Sequence, residues 1–315
     1  MSESVVTYHD LIARNRRNSV LLVVGFVAFI VVLVTVMGSA LAGGDARVAL
    51  LFAVIALVMA VTMAASSYYS GASTILRMSG AKLIEHADDP ELYNVVEEMA
   101  IAAGVPTPPV YLIEDTALNA FATGRDPEHA ALAITRGLRE TLTRDELQAV
   151  MAHEMSHVRH FDIRLAMLLA TLVGLVVLLT DFFMRGVFWG GAGRRGRRGG
   201  DNGAGGAAIM LLAIALAIVA PLFAKIIQLA ASRQREYLAD AGAVELTRNP
   251  DAMISALRRL GGDKEVLEVA NRATAHLYIV QPIKKWEARS KGLFSTHPSI
   301  DDRISRIEAL AHGTR

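Results

Sequence analysis

The chain contains no cysteine in its 315 residues. No disulfide can form, and the redox state of its compartment leaves no mark on the sequence. A cysteine-ligated zinc or iron–sulfur site is excluded, so any metal must sit on His, Asp or Glu. Net charge is also lacking: the formal value is +1. No global basic field exists to hold phosphates, which argues against nucleic acid as a partner. Internal repeats are absent. Charge is missing over long stretches, and those stretches dominate the rest of the reading.

Apolar residues make up 53% of the chain, and they gather in four blocks, the pattern of a membrane protein rather than of one large soluble core. Ser19 to Met37 is almost purely aliphatic, and no charge appears before Asp45. At roughly 1.5 Å per helical residue this block crosses a ~30 Å hydrocarbon core. It is longer than a signal-peptide core and a second run follows at once, so a retained span is expected despite the cleavage-like Ala40-Leu41-Ala42. Val48 to about Tyr69 completes a hairpin. Arg14, Arg16 and Arg17 before the first span, with Arg77 and Lys82 after the second, place both ends in the cytoplasm.

The third block, Leu165 to Thr180, is short for a span, and the fourth, Ala207 to Ala224, contains Pro221 and ends at Lys225. Between them lies a Gly- and Arg-rich stretch, Gly190 to Gly206, expected to be a flexible loop. Two arrangements fit: two crossings, or a helical hairpin that dips into the bilayer or packs on the protein. The combined apolar length favours crossing, and the soluble parts share one side either way.

The soluble parts carry clear start and stop signals. Asp89-Pro90 opens a helix with Leu92, Val95, Val96, Met99 and Ala103 on its apolar face, and Gly104 closes it. Strands are expected at Pro109–Ile113, Leu118–Thr123 and Ala130–Thr135. Thr143-Arg144-Asp145-Glu146 is a capping box that starts another helix. Asn249-Pro250 begins a further one, and Ser299 caps the last, whose apolar residues are Ile300, Ile304, Ile307 and Leu310. The expected division is 1–17, a cytoplasmic segment; 18–70, a transmembrane hairpin; 77–162, the first part of a catalytic domain; 163–228, a second apolar pair with its loop at 184–206; and 229–315, the second part of the catalytic domain.

The helix begun by the capping box carries His153-Glu154-Met155-Ser156-His157, an HExxH motif. Residues four apart share a helical face, so both imidazoles can meet one ion, with Glu154 beside them as general base. Catalytic zinc usually takes three protein ligands plus water. The metzincin pattern needs Gly at 160 and His at 163, where this chain has His160 and Ile163. The third ligand is therefore sought on a second helix. Arg235-Glu236-Tyr237-Leu238-Ala239-Asp240 follows the fourth block, with Glu236 and Asp240 on one face. Glu236 can ligate, and Asp240 can accept the second N–H of a ligating histidine. This is the gluzincin arrangement. His160 is read as an ordinary helix residue, and Asp162 as a residue that can anchor the motif helix.

These motifs, together with Ala117 to Gly124, Arg235 to Gly242, and Thr296-His297-Pro298 with Arg303, resemble the HtpX-type membrane zinc metalloproteases, relatives of the CAAX-prenyl endopeptidases. The resemblance covers nearly the whole chain. It implies a mainly α fold with a small β-sheet, four apolar helices and a cytoplasmic catalytic domain. It implies one zinc ion per chain and hydrolysis of misfolded or damaged membrane proteins in the bacterial inner membrane, as part of quality control and stress response. Partners are then polypeptide substrates and the lipid bilayer; the oligomeric state stays open. The resemblance further implies that Asn119 lines a substrate-binding edge strand, that His297 stabilises charge near the zinc, and that Arg303 supports it. Two other readings remain: a prenyl-protein endopeptidase, which would need more spans, and a non-catalytic zinc-binding adaptor, which would need a closed four-ligand site.

Overall fold

The structure, a computed structural model, describes residues 8–190, 204–263, 265 and 298–312. It is mainly helical with one small mixed sheet. The chain divides into two compact units, one formed by Ala13–Ser67 and Leu168–Gln228, the other by Met1–Ile12, Tyr68–Met167 and Leu229–Arg315.

The first of these consists of the apolar segments. Helix α1 is Tyr8–Leu41 and α2 is Ala46–Met78. Later in the chain come α6, Asp162–Gly190, and α7, Ala204–Thr247. All four are long and apolar enough to cross a membrane. On α1 a single stripe, Phe26, Ile30, Leu33, Val34 and Met37, is buried, while Val20, Leu21, Val24 and Val32 are exposed. That split lets a helix face protein on one side and hydrocarbon on the other. Gly38 is required by close packing, since a Cβ there would overlap the Phe52 ring. Thr171 donates to Ser67 Oγ at 2.8 Å, satisfying two hydroxyls inside the apolar unit.

Two expectations change here. The third block reads as short, Leu165 to Thr180, yet α6 has 29 residues and its candidate span is Asp162–Phe188. The helix propagates past the charges that bound the apolar block, and beyond them Asp181 and Arg185 pair with each other at 2.7 Å on its surface. Likewise α7 runs through Pro221 and Lys225 without a break. Residues 184–190 and 204–206, expected in the loop, are helical; positions 191–203 of that loop lie outside the described residues.

The other unit holds the sheet and the remaining helices. Helix α3, Pro90–Ala103, starts where Asp89 accepts from Leu92 N–H at 3.0 Å and stops at Gly104 in the left-handed region, φ 69°. Its apolar face is the expected one, extended by Ala100. The strands are β1 (Lys82–Leu83), β2 (Val110–Ile113), β3 (Ala120–Gly124) and β4 (Ala130–Thr135). Their order is β1-β2-β4-β3, with β2 parallel and β3 antiparallel to β4. That order leaves β3 on an edge, reached from β4 by a short turn at Pro127–His129. Gly124 closes β3 at φ 146°, where a Cβ would meet the backbone of His129 and Ala130.

A short helix, α4 (Arg136–Thr141), leads to α5, Arg144–Arg159, which opens with the complete Thr143/Glu146 capping box. Helix α8 is Pro250–Gly262 and α9 is Ile300–His312, with Ser299 Oγ accepting from Asp302 N–H at 3.1 Å. Faces of α3, α5, α8 and α9 share a core with one side of the sheet: Leu92, Val96, Leu132, Leu147, Met151 and Leu257 are fully buried. At roughly 1.5–3 kcal/mol per large apolar side chain, this burial holds α5 rigidly beneath the sheet edge. The segments expected near Lys264–Ala275 fall almost entirely outside the described residues.

Candidate metal centre

Eleven of the sixteen residues of α5 are buried, His153 and Glu154 among them. The helix therefore presents its histidines from a fixed rod. Their rings stand perpendicular with centroids 4.8 Å apart. Helix α7 approaches α5 closely enough that a Cβ on Gly242 would collide with the Ser156 side chain. Ser156 lies between the two histidines, so this glycine contact brings α7 against the turn that carries them. Glu236 then faces both rings: its carboxylate oxygens are 3.7 Å from His153 Nε2 and 3.6 Å from His157 Nε2.

Among the described residues, His153, His157 and Glu236 form a group whose candidate ligand atoms all lie within 4.8 Å of one another. His153 Nε2 is buried with no hydrogen-bond partner. A buried ring nitrogen aimed at a carboxylate, with a second imidazole converging on the same point, is a donor set that fits a divalent cation of the zinc type.

The far nitrogens of both rings are also engaged. His153 Nδ1 is 3.0 Å from Asp240 Oδ1. Asp240 in turn receives two bonds from Arg303 on α9, Nε at 2.8 Å and Nη2 at 2.6 Å. Arg303 is 1% exposed and also lies 3.5 Å from Glu236. Burial works against its charge, but Asp240, Glu236 and Glu154 outweigh that and hold the guanidinium firmly protonated. His157 Nδ1 is 3.2 Å from Asp162. Burial opposes a charge on His157, yet Asp162 and Glu236 outweigh it and lift its pKa to about 10. Carboxylates that favour a proton at that ring also favour a cation beside it.

Glu154 is buried, and Oε2 accepts from Ala122 N–H at 2.8 Å. Ala122 is in the edge strand β3, and this N–H points out of the ladder toward α5. Burial pushes the Glu154 carboxyl up, with His153 and His157 opposing. Asn119 stands immediately before β3; its Oδ1 accepts from Ala120 N–H at 3.1 Å. The structure thus brings His153, His157, Glu236, Glu154, Asp240 and Arg303 together, and places Asn119 at the head of the strand that Glu154 touches. His297 lies outside the described residues. His160 closes α5, with Nδ1 2.7 Å from Ser156 O, and is not in the metal group.

Two partners escape the reading of the sequence, while Asp162, expected there as an anchor of the motif helix, lies against His157. Ala122 supplies a backbone group, which no motif records. Arg235 engages Asp162 directly, and its sole signal was its place next to Glu236.

Residues 86–311 match the model of peptidase family M48. The chain belongs to that family. This M48 chain is 42% identical over 306 residues to a "Protease HtpX homolog" of Listeria monocytogenes, covering 96% of this chain and 99% of the relative. It is 44% identical over 304 residues to a "Protease HtpX homolog" of Limosilactobacillus fermentum, with the same coverage of 96% and 99%. Among solved structures it is similar to the crystal structure of S. mikatae Ste24p, with 19% identity and a TM-score of 0.48, covering 79% of this chain and 56% of that one. The M48 chain is a metallopeptidase, and with four apolar helices of spanning length it is a multi-pass membrane protein.

Proposed function

We propose that this M48 chain is a zinc endopeptidase of a bacterial inner membrane, with its site facing the cytoplasm, and that it cleaves misfolded or damaged membrane proteins. The observation that carries the reading is the carboxylate of Glu154 held between a His/His/Glu metal group and an N–H of a sheet edge. His153, His157 and Glu236 would hold the zinc. When bound, zinc lowers the pKa of water and polarises the scissile carbonyl.

The remaining work falls to side chains and backbone. A substrate in extended form lies along β3, whose outer edge is not paired to another strand among the described residues. Asn119 and Ala122 fix the register of that strand. Glu154 takes a proton from the attacking water and delivers it to the departing amine. Asp240 holds the proton on His153 Nδ1, so that Nε2 keeps its lone pair for the metal. His297 would stabilise charge near the zinc with Arg303 in support, and Arg303 also backs Asp240.

The test is Glu154→Gln in the purified full-length protein. It is expected to retain one zinc per chain and to lose cleavage of an unfolded membrane-protein substrate by at least about 100-fold, the usual contribution of a general base. A fully active Glu154→Gln protein rules the mechanism out. Cleavage confined to a farnesylated peptide would move the assignment to a prenyl-protein endopeptidase.

A further inference from the structure

Each metal-binding histidine is backed by an aspartate, and each aspartate by an arginine. On one side the relay is His153, Asp240 and Arg303. On the other, His157 Nδ1 lies 3.2 Å from Asp162 Oδ2, and the second oxygen of Asp162 is engaged by Arg235 Nη1. Asp162 is 4% exposed, although it is the first residue of an apolar helix. A carboxylate is placed in such surroundings at a desolvation cost that only close partners offset.

The backbone is arranged to put it there. Asp162 is five residues beyond His157, too far for a continuing helix to aim the two side chains at each other. The chain instead breaks at Phe161, which sits at φ 61°. A bulky side chain rarely adopts that left-handed conformation, and it recurs where surrounding structure enforces it near a working site. The turn folds the start of α6 back on the end of α5. Arg235 is also placed with purpose: it immediately precedes Glu236 on α7. One helical turn thus contributes both a metal ligand and the cation that clamps the aspartate behind a second ligand.

We propose that Asp162 and Arg235 are positioning residues for the metal centre: Asp162 accepts from His157 Nδ1–H, fixing the tautomer whose Nε2 faces the metal, and Arg235 holds the Asp162 carboxylate in place. The proposal rests on the metal reading above and deepens it. It makes the site two-fold in plan, with both imidazoles oriented by an Arg–Asp pair.

Zinc dissociation from the purified full-length protein, timed with a chromophoric chelator, tests this without any use of activity. Asp162→Ala and Arg235→Ala are expected to bind zinc about 10–100-fold more weakly, and to shift the visible absorption of the cobalt(II)-loaded protein. Arg235→Lys, which keeps the charge, is expected to stay near the wild-type values. Glu245→Gln, on an exposed pair with Arg159, serves as the control. Wild-type affinity and spectrum in both alanine variants overturn the inference. If those variants do not fold, Asp162→Asn and Arg235→Lys give the same readout: a weakened Asn variant beside an unaffected Lys variant supports the relay, and two unaffected variants overturn it. His157→Ala separates the two levels. Loss of zinc there, with zinc retained in the Asp162 variants, removes this inference alone; zinc bound normally by His157→Ala removes the metal reading itself.

Discussion

Asp240 and Arg303 form a buried ion pair whose members depend on each other. Breaking such a pair from one side leaves a charge in a low-dielectric interior without compensation. Asp240→Ala is therefore expected to destabilise the protein by about 3–5 kcal/mol. Replacing both, as Asp240→Leu with Arg303→Met, should recover a large part of that stability while zinc affinity stays low. Chemical unfolding and metal content, measured on the same samples, separate the two effects. Gly242 makes a second residue-scale claim. Any Cβ there meets Ser156, so Gly242→Ala should cost about 1–3 kcal/mol, the usual range for overpacking. Adding Ser156→Ala should restore part of it in a thermal melt, because the hydroxyl is the nearer obstacle. The sequence displays Gly242 only as a letter after Asp240; the neighbour that forbids a side chain is in another helix. The two histidines, Glu154 and Glu236 are legible because helical spacing is a local property. Ala122 and Arg235 are not, because their roles depend on which strand or helix end folds against them.

Helix α5 is the element on which the site depends, and its first turn is tied down more firmly than a cap requires. Glu146 closes the capping box and also accepts from Ser255 at 2.5 Å and Arg259 at 2.7 Å on α8. Burial raises its pKa, but Ser255, Thr143 and Arg259 outweigh burial and bring it below the usual 4.5. A carboxylate whose folded pKa is depressed contributes stability above its unfolded pKa, and that contribution fades as pH falls through the folded value. Wild-type protein should lose stability in that window, below about pH 4.5, and Glu146→Gln should lose less of it. Unfolding midpoints measured from pH 6 to pH 3 give the comparison. An equal acid slope in both proteins would deny Glu146 this part. At this scale the sequence reads well where elements are bounded by local chemistry. The starts of α3, α5, α8 and α9 all lie at their caps, and β4 spans the expected six residues. It reads poorly for β1, two residues long with no alternation to detect, and for α7. Pro221 looks like a stop, but a long apolar helix tolerates proline where surrounding groups re-satisfy the freed carbonyl.

For the molecule as a whole, the apolar surface sets the conditions of every measurement. Leu50, Leu51, Val54, Phe182, Leu211 and Leu212 are all exposed, and a soluble protein rarely carries apolar surface of this extent. The membrane and the metal then act on stability in different ways. A bilayer or detergent covers that surface, while a cation bound only by the folded chain stabilises it by mass action. Zinc supplied at one hundred times its dissociation constant should add about 2.7 kcal/mol. The wild-type thermal midpoint should therefore fall on chelation and return on reloading. Glu236→Gln should show little of either change.

The order in which the centre is put together follows from where its parts lie along the chain. His153, Glu154 and His157 are made first, on α5. Glu236 is encoded only after α6 and most of α7, and Arg303 later again. A polypeptide still being synthesised therefore carries His153, Glu154 and His157 for a long interval without Glu236. It acquires Glu236 only once the last apolar segment has been translated. With the ligand set proposed above, the chain becomes a peptidase only after its own insertion is nearly done.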